Sequence, residues 1–95
     1  MKQPCVYMMS NQLNGTLYIG VTSDLVRRVY EHKSGVIAGF THKYGLKNLV
    51  WYEVHEHMES AIVREKQLKA GSRAKKIELI ARMNPKWFDL YDEIV

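Results

Sequence analysis

Cys5-Val6-Tyr7-Met8-Met9 and Thr16-Leu17-Tyr18-Ile19-Gly20-Val21 flank Asn11-Gln12-Leu13-Asn14-Gly15, and this stretch decides the fold. Both flanks are built of residues that favour strands, and Asn14-Gly15 is a turn signal, so the segment predicts a β-hairpin. Tyr7 and Tyr18 stand eleven positions apart. An even number of loop residues puts both on one face of the sheet, with Thr16 and Gly20 beside Tyr18 and the backbone open to approach at the glycine. Tyrosine also packs well in strands, so the shared face alone points at least as readily to core.

Outward from the hairpin, Ser23 or Asp24 can cap a helix that runs to about Ser34 and stops at Gly35. A loop with Gly39, Thr41 and Gly45 follows, then a third strand over Leu49-Val50-Trp51-Tyr52-Glu53-Val54. A second helix is predicted from Met58 to Ala70, ending at Gly71. Ser72 caps a third that finishes before Pro85, and a short helix is predicted over Trp87 to Ile94. The order ββαβααα implies an α+β fold, a small, mostly antiparallel three-stranded sheet flanked by helices. Ninety-five residues are expected to make one domain over 1–95.

The net charge of +4, from 14 Lys and Arg against 10 Asp and Glu, favours polyanionic partners only modestly. One cysteine, Cys5, excludes an internal disulfide and a cysteine-based zinc site, and a reduced thiol suits the cytoplasm. No apolar run approaches the roughly 18 residues of a membrane span, and the start is too short in apolar residues for a signal peptide. His42, His55 and His57 have no zinc-like spacing and read as loop or surface residues.

Helical periodicity singles out three further side chains. In the first helix Leu25, Val26, Val29 and Tyr30 form the apolar stripe, with Arg28 and His32 on its border. A snorkelling arginine and a surface histidine explain that pair as well as a site does. In the second helix Glu65 falls inside the sector of Met58, Ala61, Ile62 and Leu68. A carboxylate there needs a cation, which is either a metal or a salt bridge to Arg28 or Lys69. Lys43 in Thr41-His42-Lys43-Tyr44, and Arg64, Lys66, Lys69, Arg73, Lys75 and Lys76, could form a rim that contacts phosphates.

Together these residues resemble the GIY-YIG endonuclease family. Val6-Tyr7 stands where the family has its first Ile-Tyr, and Tyr18-Ile19-Gly20 matches the second half of its motif. Arg28, His32 and Glu65 follow at the family's intervals, and Asn84 in Met83-Asn84-Pro85 resembles an asparagine found late in many members. The similarity spans roughly residues 4 to 90 and is greatest to small bacterial proteins related to the catalytic module of the excision-repair endonuclease. Cys5 replaces the leading glycine, and Val21 stands where some members carry a lysine.

The resemblance implies a Mg²⁺- or Mn²⁺-dependent endonuclease that cuts DNA in repair or processing, with structure- or end-directed recognition, aided by a protein partner or a homodimer. It makes Glu65 the metal ligand, and Tyr7, Tyr18, Arg28 and His32 its catalytic companions. Tyr7 is assigned as general base and Tyr18 as positioner of phosphate or water. Asn84 joins Lys43, Arg64, Lys69, Arg73, Lys75 and Lys76 as a nucleic-acid contact. The alternative is a catalytically weak module that binds nucleic acid or recruits a partner. A purely structural protein would leave Glu65 without a metal.

Overall fold

The computed structural model describes residues 2–37 and 39–95. Strands β1 (Cys5–Ser10) and β2 (Leu17–Thr22) form the expected hairpin, and β3 (Asn48–Val54) pairs with the other side of β1. The sheet is antiparallel throughout, in the order β2-β1-β3. Ser10 pairs with Leu17, so the loop is residues 11–16, an even number. Asn14 takes the left-handed turn conformation (φ 55°), and the Asn11 side chain accepts from Thr16 N at 3.0 Å to close the loop.

Being central, β1 is buried at all six positions, and its alternate residues feed two cores. Cys5, Tyr7 and Met9 face Leu25 and Val29 of α1 (Leu25–Ser34), with Leu46, Leu90 and Ile94. Val6 and Met8 face Ala61 and Leu68 of α3 (Met58–Ala70) and Ile80 of α4 (Arg73–Met83). A slip in register between Met8 and Met9 adds a residue to β3, so the sequence neighbours Val50 and Trp51 both join this second core.

The caps follow the sequence: Asp24 Oδ1 accepts from Arg27 N at 3.2 Å, and Gly35 ends α1 in the left-handed region (φ 75°). Ser72 caps α4 through Lys75 N. Two segments differ from expectation. The predicted loop after α1 contains a short helix, α2 (Phe40–Tyr44), between Gly39 and Gly45. The last helix is only α5 (Tyr91–Ile94), because the preceding residues form a turn held by Asn84 and by Trp87 at φ 57°. Among the described residues no helix is long and apolar enough to cross a membrane.

Candidate active site

The hairpin register sets Tyr7 opposite Gly20 and Tyr18 opposite Met9, so the two tyrosines lie diagonally on one face. Tyr7 lies over the glycine: a Cβ at Gly20 would come within 2.6 Å of its phenol. The buried line of α1 is Leu25, Val29 and His32, spaced i, i+4, i+7, which drives the imidazole into the same space. His32 is therefore part of the apolar stripe itself, whereas Tyr30, expected there, is exposed.

Three rings meet here. Tyr7 and Tyr18 have centroids 6.2 Å apart, and each lies 5.6 Å from His32. Tyr7 Oη is 2.9 Å from His32 Nε2, and His32 Nδ1 is 3.1 Å from Thr41 Oγ1 on α2. All three groups of this chain are buried. Burial pushes the Tyr7 phenol far above its ordinary value, and Tyr18 adds to this while Arg28 opposes it. Burial also lowers the His32 pKa, with Arg28 acting the same way and Glu31 against it. A neutral imidazole has one donor and one acceptor nitrogen. Nδ1–H donating to Thr41 leaves Nε2 to accept from the Tyr7 hydroxyl.

Arg28 borders the cluster with its guanidinium partly exposed. Its Nε lies 3.3 Å from Glu31, whose other oxygen is 3.3 Å from Arg27 Nε. Thr22, Ser23, Asp24, Arg27, Arg28 and Glu31 line a polar hollow of about 260 Å³. Glu65 is on α3, the helix packed over the other face of the sheet. Its carboxylate is 15% exposed and paired with Lys69 at 3.4 Å, not with Arg28. Among the described residues no three His, Cys, Asp or Glu side chains cluster as a metal cage. A single half-buried carboxylate balanced by one exposed lysine does fit a magnesium ion that keeps most of its water shell.

Of the expected nucleic-acid residues, Arg64 and Lys75 line one hollow with Leu68, Glu78 and Leu79, and several of the others are engaged elsewhere. Arg64 pairs with Glu53 at 3.1 Å, and Arg73 donates to the carbonyls of Asn14 and Gly15 at 2.9 and 2.7 Å. Lys69 holds Glu65, Lys75 is exposed, and Lys76 is half-buried. Lys43 stands 5.4 Å from the Tyr44 ring. Asn84 departs from its expected role: it is buried and donates to the carbonyls of Val50 and Phe88 while accepting from Phe88 N. Its amide is spent on backbone, which makes it a structural residue. Thr41 is the partner that sequence reasoning missed, since a contact across nine residues and two helices leaves no periodic signal.

The description "GIY-YIG catalytic domain" matches residues 3–78. A UPF0213 protein of Natronomonas pharaonis is 40% identical over 76 residues, covering 80% of this chain and 88% of that one. Another UPF0213 protein, from Staphylococcus saprophyticus, is 34% identical over 68 residues, covering 72% and 83%. The solution NMR structure of a UPF0213 protein from Bacillus halodurans superimposes with a TM-score of 0.54 at 32% identity, covering 85% of each chain. Motif, fold and relatives agree: this chain belongs to the GIY-YIG catalytic-domain family.

Proposed function

We propose that this protein is a divalent-metal-dependent endonuclease that hydrolyses phosphodiester bonds in DNA. The observation that carries the reading is the buried Tyr7–His32–Thr41 chain, centred on an imidazole whose pKa burial and Arg28 hold down. A phenol on an uncharged, hydrogen-bonded imidazole is a proton path, and packing alone does not require one.

Burial redistributes the tyrosine roles expected from the sequence. Tyr7 has no exposed surface and cannot touch substrate, whereas Tyr18 is half-buried at the edge strand β2. Tyr18 orients the attacking water and takes its proton as its own phenol proton passes to Tyr7 Oη, with which it shares a hydrogen bond. Tyr7 in turn gives its phenol proton to His32 Nε2, so hydroxide forms at the phosphate and the imidazole ends protonated. Arg28 turns from Glu31 to grip a non-bridging phosphate oxygen, where its planar fork suits the geometry. α3 packs against β2, and in this reading Glu65 reaches round that edge to serve a phosphate held there. A Mg²⁺ or Mn²⁺ ion on Glu65 would supply Lewis acidity to the phosphate and its leaving oxygen.

The small hollow beside Arg28 suits one phosphate better than a run of bases, which favours a structure- or end-directed substrate in repair or processing. The test is cleavage of nicked, branched and single-stranded DNA across a Mg²⁺ titration against EDTA. Glu65→Gln should abolish product, and Arg28→Ala should lower the rate about 100- to 1000-fold while the fold is kept. Cutting by Glu65→Gln at the wild-type rate would overturn the metal assignment. The competing reading is a binding module without turnover, and the ion pairs Arg28–Glu31 and Glu65–Lys69 favour it. It predicts binding that weakens with salt at a log–log slope of about −0.9 per phosphate contact and no product under any metal.

A further inference from the structure

Helix α2 carries an aromatic pair that the catalytic cluster does not use. Phe40 and Tyr44, one turn apart, meet with ring centroids at 4.8 Å and planes inclined by 51°. They are 48% and 47% exposed. The other side of α2 is tied down: Thr41 is buried against His32, and the His42 ring sits over Gly35, where a Cβ would lie 3.3 Å from Cδ2. The aromatic side is therefore held outward on a helix bonded directly to the candidate active site.

The charge around the pair selects its occupant. Residues 39–52 contain no Asp or Glu and carry Lys43 and Lys47, while Lys33 is spent on Asp89. Lys43 Nζ stands 5.4 Å from the Tyr44 ring centroid. Exposed π-faces with one adjoining ammonium group, that of Lys43, on a segment without carboxylates of its own suit a ligand that is both planar and anionic. A nucleotide of a DNA strand has both properties, and only an unpaired base can offer its face. A duplex end offers one terminal pair, and a paired interior offers none.

We propose that the Phe40–Tyr44 face of α2 is a stacking platform for an unpaired base, so the substrate is DNA with a flap or frayed end. The proposal rests on the hydrolytic reading only in placing the platform beside the cut. Thr41 fixes that placement, since one short helix both presents the rings and bonds His32.

Fluorescence anisotropy in EDTA, where no cutting occurs, tests the platform with a labelled duplex bearing a short single-stranded flap and a fully paired duplex of the same sequence. Phe40→Ala with Tyr44→Ala should weaken flap binding about tenfold or more, and paired-duplex binding less than about twofold. Tyr44→Trp should retain the preference, because it keeps the π-face. If the double variant fails to fold by circular dichroism, Tyr44→Leu replaces it: apolar bulk without a π-face should still lose the preference. Wild-type flap affinity in a folded variant, or equal loss on both DNAs, would overturn the proposal. So would a DNA-free dimer, seen by sedimentation, that the double variant dissolves, since a second copy would then cover the face. Cleavage in Mg²⁺ is a separate readout. A preserved flap preference without product overturns only the hydrolytic reading, and product without the preference overturns only the platform.

Discussion

Gly20 and His32 carry the site at the residue scale. A methyl group at Gly20 meets the Tyr7 phenol at 2.6 Å, inside contact distance, so Tyr7 would have to swing away from His32. Gly20→Ala should cost about 1–3 kcal/mol through overpacking, read by urea unfolding, and should depress cleavage further than that loss explains. His32 sets the pH dependence. Its pKa is lowered in the fold, first by burial and then by Arg28, against Glu31. A depressed histidine gives stability that is present above its unfolded value of 6.5 and lost as pH falls below it, because the unfolded chain takes up the proton first. Wild type should therefore lose stability between pH 8 and 5 by more than His32→Gln does, read by urea midpoints. Tyr7 has the opposite sign: its raised pKa gives stability present below 10 and lost as pH rises past that value. Tyr7→Phe should flatten that alkaline loss in the same measurement.

At the scale of elements, α1 is the organiser. Little more than one turn of it sets Arg28, Glu31 and His32 along the rim and floor of the site, and the Asp24 cap and the left-handed Gly35 fix where that turn falls. Glu31 holds Arg27 and Arg28 at once, so under the proposed mechanism a phosphate would compete with a carboxylate for Arg28. Glu31→Gln should tighten DNA binding severalfold at low salt, measured by anisotropy in EDTA. Stability should change by less than about 1 kcal/mol, because these pairs lie at the surface with their arginines partly solvated. Unchanged affinity would show that Glu31 does not restrain the arginines. α2 was hidden within an expected loop, since five residues between two glycines have no room for a periodic pattern. Its position follows from the Thr41–His32 bond and the His42–Gly35 contact, both of which join it to α1.

The whole molecule is a sheet between two cores, and the C-terminal segment links them. Trp87 packs in the core under α3 and α4, while Leu90 and Ile94 pack in the core under α1. The crossing is fixed by Leu90 N donating to Leu49 O at 2.8 Å and Leu49 N donating to Asp89 at 3.0 Å, with Lys33 paired to Asp89 from α1. A segment beyond the matched residues 3–78 thus closes both faces. Trp87→Ala should cost about 3–5 kcal/mol by thermal or urea unfolding, a large share of the 5–15 kcal/mol typical of a small domain. A loss under about 1 kcal/mol would show that the segment is not part of the cooperative unit.

The hairpin, the α4 cap and the bounds of α3 were legible in the sequence, while the shared tyrosine face hung on an even loop and the α1 cap on a choice between Ser23 and Asp24, which the structure decided as residues 11–16 and Asp24. Each is set by a neighbour one turn away or by strict alternation along a strand. The motif that marks the family was legible for the same reason, as Tyr18-Ile19-Gly20 is a local pattern. What the tertiary structure decided are partners distant along the chain. The bond between Tyr7 and His32 spans 25 positions, Thr41 reaches His32 from another helix, and Glu65 chose Lys69 on its own helix over Arg28 across the sheet. Burial separated the two tyrosines that the sequence could only place side by side. Exposure depends on which layer covers a face, and that is settled by packing α1 against one core and α3 against the other.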